Sequence, residues 1–267
     1  MEFRTKVGIE RSNWHIEPFA RMLFVGSCFA DNMGRRFLQE KFRAVVNPYG
    51  VMYNPASILH TVEKLNMQPD VTVFTLGTNR IYREKATGEI VDNCRKRPAN
   101  LFTEESLTVD ECVESLAKAA QIVGGRVIVT VSPIRYRKYG YHGSMVSKAT
   151  LIMAAERLCR ERAEQVSYFP AYEIMNDELR DYRFYQPDML HPTEQAVEYI
   201  YERFAETYFS DATNKFIAEW RPIKEALGHR PVNPDSAEYK AFAEQTKKKA
   251  EALKTKYPEL ETDSWAG

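Results

Sequence analysis

The residues with chemistry to offer stand at the ends of short apolar runs. After Met22-Leu23-Phe24-Val25, a single glycine, Gly26, is followed by a hydroxyl and a thiol, Ser27 and Cys28. Far downstream, Asp188 and His191 lie three apart in Gln186-Pro187-Asp188-Met189-Leu190-His191-Pro192. That spacing lets the carboxylate turn back onto the imidazole and hold its tautomer, so the other ring nitrogen can take a proton from a nucleophile. Asn47-Pro48-Tyr49-Gly50, Gly77-Thr78-Asn79 and Ser132-Pro133-Ile134-Arg135 close three further runs. Together these supply a nucleophile and a base with its orienting carboxylate, at strand ends where backbone N–H groups can stabilise an anion.

Strands alternating with helices must position those groups. The patterning predicts strands over residues 22–25, 43–46, 71–76, 126–131 and 166–169, and helices over 31–42, 55–65, 109–123, 147–164 and 193–208. Asn54 and Pro55 read as the N-cap and first residue of the second helix. This rhythm implies a three-layer α/β fold around a doubly wound, mostly parallel sheet of flavodoxin-like type. In such sheets ligands gather at the C-terminal strand ends, where helix N-termini stabilise anions. Residues 80–94 depart from the pattern and read as a β-hairpin around Thr87-Gly88, either a pocket rim or a surface excursion. Residues 1–210 are expected to form the core domain and 211–267 a charged helical extension. There, Lys247-Lys248-Lys249 reads as a solvated face. Tyr239, Phe242, Leu253 and Tyr257 could dock that extension on the core or on a second subunit, as a homodimer.

Composition narrows the function classes. Lys+Arg and Asp+Glu are equal at 37 each among 267 residues, so no overall field draws the chain to nucleic acid or an anionic membrane. Cys28, Cys94, Cys112 and Cys159 are widely spaced and read as reduced thiols rather than a disulfide frame or zinc site. No metal-ligand cluster stands out at convincing spacing, and neither Gly-x-Gly-x-x-Gly nor Gly-x4-Gly-Lys-Ser/Thr is present. Without an apolar leader or a run long enough to span a bilayer, the expectation is a soluble cytoplasmic protein with a small-molecule substrate.

The blocks Gly26-Ser27-Cys28-Phe29-Ala30, Asn47-Pro48-Tyr49-Gly50, Thr75-Leu76-Gly77-Thr78, Thr130-Val131-Ser132-Pro133, Ser147-Lys148-Ala149 and Asp188-Met189-Leu190-His191-Pro192 resemble the GSCFA domain family, which is related to the SGNH/GDSL hydrolases. The resemblance implies an SGNH-hydrolase type of fold and no cofactor. In the SGNH pattern Gly26 is the first-block glycine, Ser27 the spacer and Cys28 the nucleophile position. Gly50 would offer a backbone N–H, and Asn79 a side-chain donor, to an oxyanion; Asp188 and His191 complete the set. The register favours Cys28, with Ser27 as the alternative expected from the hydrolase relatives. A cysteine at a helix N-terminus beside an imidazole should have a depressed pKa, so Cys28 should alkylate fast at neutral pH, and more slowly in His191→Ala.

Tyr49 reads as pocket wall or core. Arg135 either binds a substrate carboxylate or phosphate or forms a surface ion pair, and Lys148 either does the same or begins its helix. The segment between the Asn-Pro and Thr-Leu-Gly blocks is shorter than the family usually has, so substrate contacts made there should be missing or replaced. The implied activity is acyl transfer from an ester, an acylated carbohydrate or other small acyl substrate, through an acyl-enzyme. Water as acceptor gives an esterase; a sugar or amine gives an acyltransferase. The rival is a non-catalytic carbohydrate- or protein-binding module on the same fold.

Overall fold

Alternate residues of the first strand point to opposite sides, and that single fact sets up the layers. In β1 (Arg21–Gly26), Met22 and Phe24 enter one core, while Leu23 and Val25 enter the other. A computed structural model of the chain describes residues 4–92, 94 and 97–261. The ends of the expected two-part division, residues 1–3 and 262–267, lie outside the described residues.

β1 is flanked by β2 (Arg43–Val46) and β3 (Val71–Leu76), and the sheet continues through two more parallel strands. After α1 (Cys28–Gln39) and α2 (Pro55–Glu63) comes a separate antiparallel sheet of β4 (Arg80–Glu84), β5 (Ile90–Val91) and β6 (Phe102–Ser106). Next are α3 (Val109–Val123), β7 (Arg126–Val131), α4 (Gly140–Glu161) and β8 (Val166–Tyr168). The main sheet runs β2-β1-β3-β7-β8, entirely parallel. Counted along the chain, that is the flavodoxin-like order 2-1-3-4-5, whose direction reverses beside β1 and β3. The end of β1, where Cys28 begins its helix, is therefore at the topological switch point.

The chain closes with α5 (Ala171–Glu173), a π-helical stretch (Ile174–Leu179), then α6 (Glu194–Tyr208), α7 (Asp211–Leu227) and α8 (Ala237–Lys256). Phe37, Phe204 and Phe216, from α1, α6 and α7, fill the core on one face; Leu116 and Leu158, from α3 and α4, fill the other. Three layers result. The C-terminal helices join the first of these cores through Trp220, Ala250 and Leu253, and Tyr257 packs edge-on to Phe216 at 5.1 Å. Phe242 stays exposed. Among the described residues no helix is long and apolar enough to cross a membrane.

Some boundaries differ from the patterning. α1 begins three residues early, at Cys28, because the Ser27 side chain accepts the Phe29 N–H and caps it. α4 begins at Gly140 rather than 147; its first turns contain Gly140 and Gly143, which hide helical periodicity. The expected hairpin has a third strand, β6, whose Phe-Thr-Glu-Glu-Ser sequence carries one buried apolar residue, Phe102.

Candidate active site

The corner at Cys28 is built from backbone that only one glycine permits. Gly26 lies at φ 144°, and a Cβ there would collide with the Thr75 carbonyl of β3. This close approach lets the Ser27 N–H bond Thr75 O at 3.0 Å and the Ser27 hydroxyl meet Thr75 Oγ1 at 3.1 Å. Ser27 is buried as well as capping α1, so its hydroxyl holds the corner together and is not presented to a substrate. Asn47, at the end of β2, ties the same corner from the other side. Its Oδ1 accepts the Gly26 N–H at 2.9 Å, and its Nδ2 donates to Asp31 at 2.6 Å.

Cys28 is the first residue of α1 and only partly buried. Its Sγ lies 3.9 Å from the Tyr53 hydroxyl. The thiol's pKa is raised, not depressed: burial is the largest cause, and the Asp31 carboxylate adds to it. The Tyr53 hydroxyl and the residue's own N–H act the other way without prevailing. At neutral pH the resting group is a thiol. The expected depression assumed an imidazole beside the sulfur, whereas the side-chain partner found there among the described residues is Tyr53.

The Asp188–His191 pair assembles itself. Asp188 Oδ2 lies 2.6 Å from His191 Nδ1, while its Oδ1 accepts the Leu190 N–H at 2.8 Å and the His191 N–H at 3.0 Å. These bonds, the imidazole first, hold the Asp188 carboxyl down at about 2. With Nδ1 turned to the carboxylate, Nε2 is the nitrogen left to accept a proton. The loop is pinned to the segment following β7: the Arg135 N–H donates to Leu190 O at 3.0 Å and the Arg135 guanidinium to Met189 O at 3.1 Å. The next residue, Tyr136, reaches the other way and packs edge-on to Tyr53, ring centroids 6.0 Å apart. Residues 135–136 thus tie the thiol corner to the imidazole loop.

Family models match this architecture over most of the chain. The GSCFA family model matches residues 21–68 and 61–204, and that of the GSCFA domain protein C-terminal domain matches 220–264. The chain belongs to the GSCFA family. Among solved structures, this GSCFA protein is similar to a catalytic mutant of Axe2, an acetylxylan esterase from Geobacillus stearothermophilus. That match has TM-score 0.53 and 13% identity, covering 73% of this chain and 97% of the other. A second Axe2 mutant, described as an acetyl-xylooligosaccharide esterase from Geobacillus, matches at TM-score 0.50 and 14% identity, covering 74% and 98%. No curated protein matches significantly. The fold of the GSCFA chain is that of SGNH-type esterases.

Several residues expected at the GSCFA site are engaged elsewhere. The Gly50 N–H donates to Asn47 O at 2.8 Å inside its own turn. Asn79 is buried, with Nδ2 on Leu107 O at 2.7 Å and its N–H on Ser147 Oγ at 2.9 Å, so it anchors the end of β6. The Tyr49 hydroxyl bonds Lys64 O at 3.1 Å, at the C-terminal end of α2. The Arg135 guanidinium lies over the rings of Tyr141, Tyr182 and Tyr185 at 4.4, 5.8 and 5.3 Å. It is a loop clamp, and it also borders a cleft of about 260 Å³ with Asn176, Arg180, Tyr182 and Tyr185.

Three residues carry more of the corner than their local sequence suggests. Tyr53 sits in the residue before the Asn54 cap, and Tyr136 follows Arg135 in a loop; nothing in their spacing marks either. Lys148 neither binds at the surface nor begins a helix. It is fully buried within α4, and its Nζ donates to Gly77 O and Ser132 O, both at 2.8 Å. Burial alone pushes it down to about 7. It bridges the loops that follow β3 and β7.

Proposed function

We propose that this GSCFA protein is an esterase or acyltransferase that works through a thioester on Cys28. The observation that carries the reading is a thiol at the topological switch point, linked through residues 135–136 to a self-oriented Asp188–His191 pair. His191 Nε2 takes the thiol proton, Asp188 holds the imidazole, and the N–H of Cys28 at the start of α1 faces the developing anion. Because the resting thiol is protonated, the thiolate forms as the substrate enters rather than beforehand. Catalytic hydrogen bonds commonly tighten only in the substrate complex. The likeness to Axe2 makes an acetylated oligosaccharide the first substrate class to assay, and Tyr182, Tyr185 and Arg180 beside the loop suit a sugar's faces and hydroxyls.

The test is intact-protein mass spectrometry after exposure to p-nitrophenyl acetate. The wild type and Ser27→Ala should gain one acetyl group; Cys28→Ala should not. The protonated thiol is also what the rival reading, a non-catalytic binding module, expects of a structural cysteine. If the wild type acquires no acetyl group and releases no nitrophenol, that rival stands and the acyl-enzyme is lost.

A further inference from the structure

A tyrosine hydroxyl in this corner has nothing to bond. Tyr136 as a residue is half-buried, but its Oη is sealed from solvent and has no hydrogen-bond partner among the described residues. Leaving a buried hydroxyl unpaired costs about 1–3 kcal/mol, so its placement calls for a reason.

The place it occupies is specific. Oη fills the space that a side chain on Gly77 would need: a Cβ there would collide with it, and would stand 2.9 Å from Tyr53 O and 3.4 Å from Ser27 Cβ. The hydroxyl is thus lodged between the ends of β1 and β3, one residue from Cys28. The nearby acceptors are already engaged. Tyr53 O takes the Gly77 N–H at 2.9 Å and the Thr78 N–H at 2.8 Å, which uses both of its lone pairs. Gly77 O and Ser132 O take the Lys148 ammonium. The ring lies edge-on to Tyr53, its centroid 5.2 Å from Lys148 Nζ, with the Tyr136 N–H on Ser144 Oγ at 3.3 Å. Burial keeps the phenol protonated far above neutral pH. What remains is an O–H donor with no acceptor among the described residues, in the same corner as Cys28, which a ligand reaches only when the corner opens to admit it.

We propose that Tyr136 is a side-chain donor to the oxyanion, at a corner where the Gly50 N–H is spent on Asn47 O and the Asn79 amide turns to Leu107 O. This rests on the acyl-enzyme reading above. As Cys28 Sγ bonds to the ester carbonyl carbon, its proton passes to His191 and the C=O π pair moves onto oxygen. That oxygen accepts the Tyr136 O–H. Collapse restores C=O, breaks the bond to the alkoxide, and returns the proton from His191 to the leaving oxygen. Water or an acceptor hydroxyl then releases the acyl group by the reverse sequence.

Tyr136→Phe keeps the ring and removes only the unpaired hydroxyl, so its Tm should equal or exceed that of the wild type. Two reactions at Cys28 separate the roles. Acylation by p-nitrophenyl acetate passes through an oxyanion and should slow by about a hundredfold in Tyr136→Phe. Alkylation by iodoacetamide forms no oxyanion and should stay within about twofold, since the thiol itself is untouched. Equal slowing of both reactions, or no slowing of acylation, overturns the role of Tyr136 while leaving the acyl-enzyme intact. A wild type that is alkylated but never acylated overturns the acyl-enzyme, and the proposal with it.

Discussion

The thiol corner and the imidazole loop are built on opposite principles. At Cys28, five segments converge: the Gly26–Ser27 turn, Asn47, Tyr53, the Gly77 loop and the buried Lys148. The contacts that join these segments are between residues distant in sequence. The Asp188–His191 pair takes its orientation from three bonds within four residues and needs the rest of the molecule only as an anchor at Arg135. A His–Asp distance does not distinguish a base, since His60 and Asp92 stand 2.7 Å apart with Lys64 sharing the carboxylate. What sets His191 apart is the attachment of its loop to the segment that also touches Tyr53. The corner is therefore a stability problem and the loop a proton-transfer problem, and variants should separate the two.

The largest effect belongs to the loop. His191→Ala should slow acyl transfer from p-nitrophenyl acetate by about 10²–10⁴-fold, since it removes the general base. It should leave iodoacetamide alkylation of Cys28 unchanged, because in the resting protein the thiol's side-chain partner is Tyr53. Slower alkylation in His191→Ala, as the motif alone suggests, would mean that the two regions already touch at rest. Measuring both rates on one preparation decides the matter.

The next effect belongs to the corner. Lys148 titrates at about 7 when folded, against an ordinary value of 10.5. Between those values the unfolded chain holds a proton that the folded protein has released, so this group makes stability rise with pH from about 7 to 10.5. Below 7 both states hold the proton and the cost of burying the charge is felt in full. Lys148→Met removes that cost but strips the donor from Gly77 O and Ser132 O. It should lose about 2–4 kcal/mol at pH 9, where the lysine is neutral and still donates twice, and distinctly less at pH 6. Urea unfolding at the two pH values checks this; parallel pH curves for variant and wild type would show that Lys148 is not the titrating group.

The same contrast explains what could be read in advance. β3 and β7 follow from uninterrupted β-branched and apolar runs, and α3 from a Thr108–Glu111 capping box, all local signals. The Asp188-x-x-His191 geometry is equally local, and its spacing alone predicts the bond the structure shows. The corner is different in kind. Tyr53 and Tyr136 meet across 83 positions, Lys148 reaches back 71 to Gly77, and the Asn79 amide turns to Leu107 rather than to the site. No periodicity encodes such meetings, because they depend on which strand ends the sheet order brings together. The π-helical stretch Ile174–Leu179 beside the cleft is illegible for a related reason: it differs from an α-helix by hydrogen-bond register, not by residue type.

The smallest effect tests the link at the sulfur. The Tyr53 hydroxyl is neutral at ordinary pH, since burial and the neighbouring Cys28 push it up to about 12. It can therefore donate to a thiolate, and that bond is the largest influence drawing the Cys28 pKa down against burial. Tyr53→Phe removes the donor and should raise the thiol pKa further. Because the thiolate is the reactive species, iodoacetamide alkylation at pH 8 should fall by about three- to tenfold, and the whole rate–pH profile should move to higher pH. His191→Ala combined with Tyr53→Phe should alkylate no more slowly than Tyr53→Phe alone, because the loop contributes nothing to the resting thiol. A profile that Tyr53→Phe leaves in place would detach the thiol from Tyr53, and with it the path through Tyr136 that joins the corner to the loop.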